Sequence, residues 1–156
     1  MRYEHHRYQE KVCLVTGAAN GLGLNLTNRL LEEGAVVGAV DIEADTLERE
    51  FGGRRDKVLC VPCDVADKRQ VDEAVSKVIQ RFGRIDVLFN NAGATATSPI
   101  DTLTVEEWDH PAAVNARTRR RLRRAVVHRI RAQVWVPGAL SSSRPGVLLH
   151  RRLKAS

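Results

Sequence analysis

The chain has 156 residues, the length of one domain, and carries 25 Lys+Arg against 19 Asp+Glu for a formal charge of +6. That excess does not mark a nucleic-acid-binding domain, because it is segregated: residues 1–109 sum to −6, while residues 110–156 hold 12 basic side chains and no acid. No run approaches the roughly eighteen apolar residues of a membrane span, and residues 1–10 lack a signal-peptide core, so a cytoplasmic protein is expected. The cysteines are Cys13, Cys60 and Cys63, an odd set that fits a reducing compartment better than a disulfide framework. Cys60-Val61-Pro62-Cys63 has redox or zinc-knuckle spacing, but it has no second pair and closes a strand-like run, so no metal site is expected.

In chain order, Lys11–Thr16 predicts a short apolar strand, and Leu22, Leu26 and Leu30 predict a helix ending near Gly34. Ala35–Val40 is a continuous apolar run ending in Asp41, typical of a strand covered on both faces. Leu47 and Phe51 anchor a short helix, and Lys57–Pro62 predicts a third strand with its proline at the end, where a missing N–H is tolerated. Asp67 and Gln70 form a capping-box pattern ahead of a helix with Val71, Ala74, Val75, Val78 and Phe82 on one face. Ile85–Phe89 predicts a fourth strand leading into Asn90-Asn91-Ala92-Gly93, and Thr104 with Glu107 predicts a second capping box. Alternating strands and helices imply an α/β, doubly wound parallel sheet of Rossmann type, incomplete at about four strands.

After about Asn115 the composition changes. Residues 117–131 contain eight arginines, and Leu122, Val126, Ile130 and Val134 could form one helical stripe. Val134–Leu140 is strand-like but interrupted by Pro137-Gly138. The expected organisation is a Rossmann-type domain over 1–115 and a basic, arginine-rich tail over 116–156, irregular or helical, leaving the fourth strand as an open edge. Binding of nucleic acid or an anionic membrane by that tail rests on charge alone and ranks last; oligomerisation is open.

The most informative stretch is Thr16-Gly17-Ala18-Ala19-Asn20-Gly21-Leu22-Gly23, where the first strand turns into the first helix. Gly17 permits a tight turn, Gly21 and Gly23 clear the approach, and the free N–H groups of the helix start face an anionic phosphate. Asp41, eighteen residues beyond Gly23, stands at the end of the next strand, where a carboxylate accepts from both adenosine ribose hydroxyls and repels a 2′-phosphate. Asn20 and Ile42 flank that pocket and no basic residue replaces the acid, so NAD is favoured over NADP.

The glycine spacing, Cys63-Asp64-Val65 and Asn90-Asn91-Ala92-Gly93 together resemble the short-chain dehydrogenase/reductase family over about residues 10–115, including Glu107-Trp108 and Val114-Asn115. The resemblance implies that Asp64 hydrogen-bonds the adenine amino group, that Val65 lies against the adenine ring, and that Asn91, Ala92 and Gly93 line the cofactor cleft. It also implies that Asn115 positions a water in a proton relay, and that hydride passes between nicotinamide and an alcohol or ketone carbon. Ser141-Ser142-Ser143 lies 26 to 28 residues after Asn115, making Ser142 the nearest match to the family's catalytic serine, although the run also has the composition of a loop.

The family's acid–base pair, Tyr-x-x-x-Lys, has no counterpart. The only tyrosines are Tyr3 and Tyr8, and Lys154 has His150 four residues before it instead. A sequence of this family truncated or frameshifted after about residue 115 is therefore expected, impaired in catalysis; the alternative is a non-catalytic dinucleotide-binding module.

Overall fold

The computed structural model describes residues 7–93, 101–102, 104–126 and 130–135. Among these residues five strands form one sheet: β1 (Val12–Thr16), β2 (Val36–Asp41), β3 (Val58–Pro62), β4 (Ile85–Asn90) and β5 (Ile130–Trp135). Their order is β3-β2-β1-β4-β5 and every pairing is parallel. Four helices connect them: α1 (Gly21–Glu32), α2 (Ala44–Phe51), α3 (Lys68–Phe82) and α4 (Val105–Val126).

The apolar runs become strands because both faces of the sheet are covered. On one face Cys13, Val15, Val37 and Ala39 pack with Leu30 of α1 and Leu47 and Phe51 of α2. On the other, Leu14, Val40, Val61 and Leu88 meet Val71, Ala74, Val75 and Val78 of α3 and Leu122 and Val126 of α4. Full burial of one such large side chain stabilises by about 1.5–3 kcal/mol. This three-layer arrangement is the expected doubly wound α/β fold.

Three local expectations change. α1 buries Gly23, Thr27 and Leu30, and Leu26 packs against the same core, whereas Leu22 is 61% exposed: the leucine stripe holds except at its first member. Gly23 is drawn inward because its backbone lies against the turn at Gly17, which rotates Leu22 outward. The basic segment is not one helix through Val134, since α4 stops at Val126 and the chain re-enters the sheet at Ile130. β5 pairs with β4 from Ile85↔Ile130 to Asn90↔Trp135, so β4 is an interior strand and the sheet has one strand more than the sequence suggests. Proline is no obstacle to this pairing, because Pro137 lies beyond the last strand residue, Trp135.

Capping side chains satisfy free N–H groups at the starts of α3 and α4. Asp67 Oδ1 accepts from the N–H groups of Arg69 (2.8 Å) and Gln70 (3.3 Å), opening α3. Thr104 and Glu107 form the reciprocal box at α4: the Thr104 N–H donates to Glu107 Oε2 (2.9 Å) and the Glu107 N–H to Thr104 Oγ1 (3.2 Å). At the opposite end of the sheet, Glu33, whose side chain is 2% exposed, accepts from Arg7 through both oxygens (2.7 and 2.9 Å) and from Arg29 (3.1 Å). The Arg7 hydrogen bonds hold the Glu33 carboxyl below the usual carboxylate range, against the opposing effect of its burial.

Candidate functional site

The strand order reverses between β1 and β4, and a parallel sheet binds ligands beyond the carboxyl ends of its strands at such a point. A cleft of about 630 Å³ opens there, lined by nine of the residues expected at a cofactor: Gly17, Asn20, Asp41, Ile42, Asp64, Val65, Asn91, Ala92 and Gly93. Gly21, Leu22 and Gly23, the other three, form the start of α1.

The turn after β1 is built to bring backbone close to backbone. Gly17 has φ +67°, a left-handed conformation that favours glycine. A Cβ on Gly23 would overlap the Gly17 carbonyl and stand 2.5 Å from Asn91 Nδ2. Asn91 Nδ2 itself donates to the carbonyls of Thr16 and Gly17, both at 3.1 Å. Thr16 Oγ1, fully buried, accepts from the N–H groups of Asn91 (3.2 Å) and Ala92 (3.1 Å). The ends of β1 and β4 are thus cross-linked beneath the turn, and Asn91 shapes it as well as lining the cleft.

At the far end of the cleft, Asp41 Oδ2 accepts from the Ala19 N–H (2.9 Å) and Oδ1 from the Glu43 N–H (3.1 Å). Ile42 is 68% exposed beside it. Asp64 is held on both sides: Oδ1 accepts from the Ala66 N–H (2.8 Å), while its own N–H donates to Gln70 Oε1 (2.9 Å). Gln70 therefore does not complete the expected capping box at the Asp67 N–H; its carbonyl oxygen serves the cleft, and Nε2 donates to Asp67 Oδ2 (3.3 Å). Thr118 of α4, buried, donates to the Val65 carbonyl (3.4 Å), which anchors the adjoining loop to a helix from the arginine-rich segment.

Asn115 is exposed on α4, and a Cβ on Gly93 would lie 3.1 Å from its Oδ1, so the geometry brings Asn115 to the cleft side of the last β4 loop. Ser142 and His150 lie outside the described residues. Tyr8 packs against Phe89, ring centroids 6.2 Å apart, and is not among the cleft residues. Cys63 borders the cleft as a free thiol, and burial pushes it up to about 11.

Sequence reasoning read Thr16 only as part of the turn and Gln70 only as a helix cap, and gave Thr118 and Glu43 no place at the site. Thr16 carries a signal in the Thr-Gly opening of the turn; the others reach the site through contacts of a kind local spacing does not encode.

The short chain dehydrogenase family pattern matches residues 11–136, past the boundary expected near residue 115. The chain is 44% identical over 112 residues to the 3-oxoacyl-(acyl-carrier-protein) reductase FabG of Thermotoga maritima, a match covering 70% of this chain and 46% of that protein. It is 39% identical over 112 residues to D-threitol dehydrogenase of Mycolicibacterium smegmatis, covering 70% and 43% respectively. Among solved structures, 3-ketoacyl-(acyl-carrier-protein) reductase from Brucella melitensis complexed with NADH superposes with a TM-score of 0.73 at 33% identity, covering 78% of this chain and 50% of that one. The chain thus spans less than half the length of these two sequence relatives. Its glycine turn, its strand order and a family match over most of its residues lead to one conclusion: the chain belongs to the short chain dehydrogenase family.

Proposed function

We propose that this chain binds NAD(H) at the β1–β4 cleft and that its fold serves hydride transfer between nicotinamide and an alcohol or ketone carbon. The observation that carries this reading is the joint placement of the Gly17–Gly23 turn and Asp41 on one cleft, with Asp41 anchored by the Ala19 N–H. Bound there, a nicotinamide cofactor supplies or accepts the hydride. The chain's own residues bind and orient: the α1 N-terminus takes the pyrophosphate, Asp41 the adenosine ribose hydroxyls, and Asp64 and Val65 the adenine. Asn115 is the residue we assign to a water of the proton relay, and Ser142 is the serine proposed for the substrate oxygen.

The proton step is what these residues do not supply. A phenol needs a neighbouring cation to work near neutral pH, and no Tyr-x-x-x-Lys occurs in this sequence. NADH binding without carbonyl reduction is therefore expected of the chain as given, with reduction confined to a form carrying that pair. Titration of NADH fluorescence tests the binding half: Asp41→Ala should weaken affinity at least about tenfold, since hydrogen bonds to a charged group each contribute about 1.5–3 kcal/mol. Equal affinity in the variant would remove the ribose role of Asp41. Reading all three frames of the transcript across codons 105–156 tests the catalytic half, because a neighbouring frame restoring Tyr-x-x-x-Lys would identify the active form.

A further inference from the structure

Asp41 is not the only carboxylate at the adenosine end of the cleft. Glu43 also lines it, two residues beyond the end of β2 and immediately before α2. Its N–H donates to Asp41 Oδ1 (3.1 Å), so one tight turn carries both acids. Its Oε2 accepts from Asn20 Nδ2 (3.1 Å) and from Thr46 Oγ1 (3.0 Å). One donor comes from the glycine turn and the other from the first turn of α2, so an exposed side chain that would otherwise sweep through solvent is tethered at the cleft rim.

No side-chain cation offsets the charge there. None of the described residues lining the cleft is a lysine or arginine, and among the described residues neither Asp41 nor Glu43 forms an ion pair. We propose that Glu43 is a second specificity-determining residue, repelling a phosphate on the adenosine 2′-hydroxyl and so excluding NADP together with Asp41. This rests on the dinucleotide reading above. A phosphate monoester carries a charge of about −1.5 to −2 near neutral pH, so each nearby carboxylate opposes it even in solvent-rich surroundings. NADH lacks that group and loses nothing to Glu43. Removing Asp41 alone accordingly leaves the discrimination half in place.

The test is a fluorescence titration of the full chain with NADH and with NADPH, at low and high salt. It uses the unaltered protein, Asp41→Ser, Glu43→Gln and the double variant. Glu43→Gln keeps an oxygen to accept from Asn20 and Thr46 and removes only the charge. The expected result is that the double variant binds NADPH about tenfold more tightly than Asp41→Ser, that the gap narrows in high salt, and that Glu43→Gln shifts NADPH affinity more than NADH affinity. Glu43→Lys should strengthen NADPH binding further.

Equal NADPH affinity in Asp41→Ser and the double variant would overturn the inference. So would a Glu43→Gln that weakens NADH and NADPH alike, which is the mark of a purely structural tether. Failure of the unaltered protein to bind NADH is a different result, and it would overturn the dinucleotide reading itself.

Discussion

Residues 7–93 and residues 104–135 join one sheet by different means. In the first region the turns and helix ends carry their own side-chain locks: Asn91 on the glycine turn, Gln70 and Asp67 at α3, Arg7 and Arg29 on Glu33. In the second, α4 offers Thr118, Leu122 and Val126 to the core, while Arg120, Arg123 and Arg124 face solvent. Residues 110–126 contain no acid to offset those arginines, and Pro111 stands inside the helix, where it removes a backbone hydrogen bond. Side-chain hydrogen bonds, several of them between distant parts of the chain, tie the first region together; α4 opens on its own Thr104–Glu107 box and beyond it relies on docking against the sheet and the α3 face.

The largest expected effect comes from breaking the first region at its tightest point. Gly23→Ala should abolish NADH binding and cost about 3 kcal/mol in denaturant melts, because its methyl group would meet backbone that cannot move aside. Retained binding would mean that the turn relaxes. In the second region the contrast is sharpened from the other side: Pro111→Ala should stabilise α4 by up to about 3 kcal/mol, visible as added helical ellipticity and a higher melting temperature. No gain would show that tertiary contacts already bridge the interruption.

Thr16→Val should cost about 2 kcal/mol, since it leaves the N–H groups of Asn91 and Ala92 without their acceptor. NADH affinity should fall with it, as Asn91 loses part of its anchoring.

The smallest effect is pH-dependent. The Arg7 hydrogen bonds lower the Glu33 pKa in the folded protein, so their stabilisation is fully present above the unfolded carboxylate value and is lost as pH falls through the lowered one. Arg7→Ala should reduce the melting temperature at neutral pH and flatten its decline in acid. An unchanged acid limb would assign that decline to other carboxylates.

Much of the site can be read from local sequence. The strand-to-helix glycine turn and Asp41 at the end of an apolar run fall on one cleft, together with Asp64-Val65, whose place at the cofactor the family resemblance implied. The α3 stripe is also correct, because Val71, Ala74, Val75 and Val78 recur at helical period and are buried as that period requires. In α1 the period holds at Leu26 and Leu30 but not at Leu22. There the close approach of Gly23 to the turn outweighs the leucine spacing, and Leu22 is left at the surface. It fails again after Val126, where apolar residues four apart along the sequence fit a helix, yet the edge of β4 offers a row of backbone partners and draws Ile130–Trp135 into a strand.

The sequence by itself determined the order of strands and helices from β1 to β4, the backbone freedom at Gly17 and the acid that ends β2, because each depends on residues within a few positions of one another. Only the tertiary structure decided that Gln70 serves Asp64, that Thr118 braces Val65 and that Glu43 is tethered to Asn20. The last two contacts cross from one element to another. Their existence depends on which strands lie side by side and how closely the helices settle on them, and the burial of both sheet faces sets that geometry.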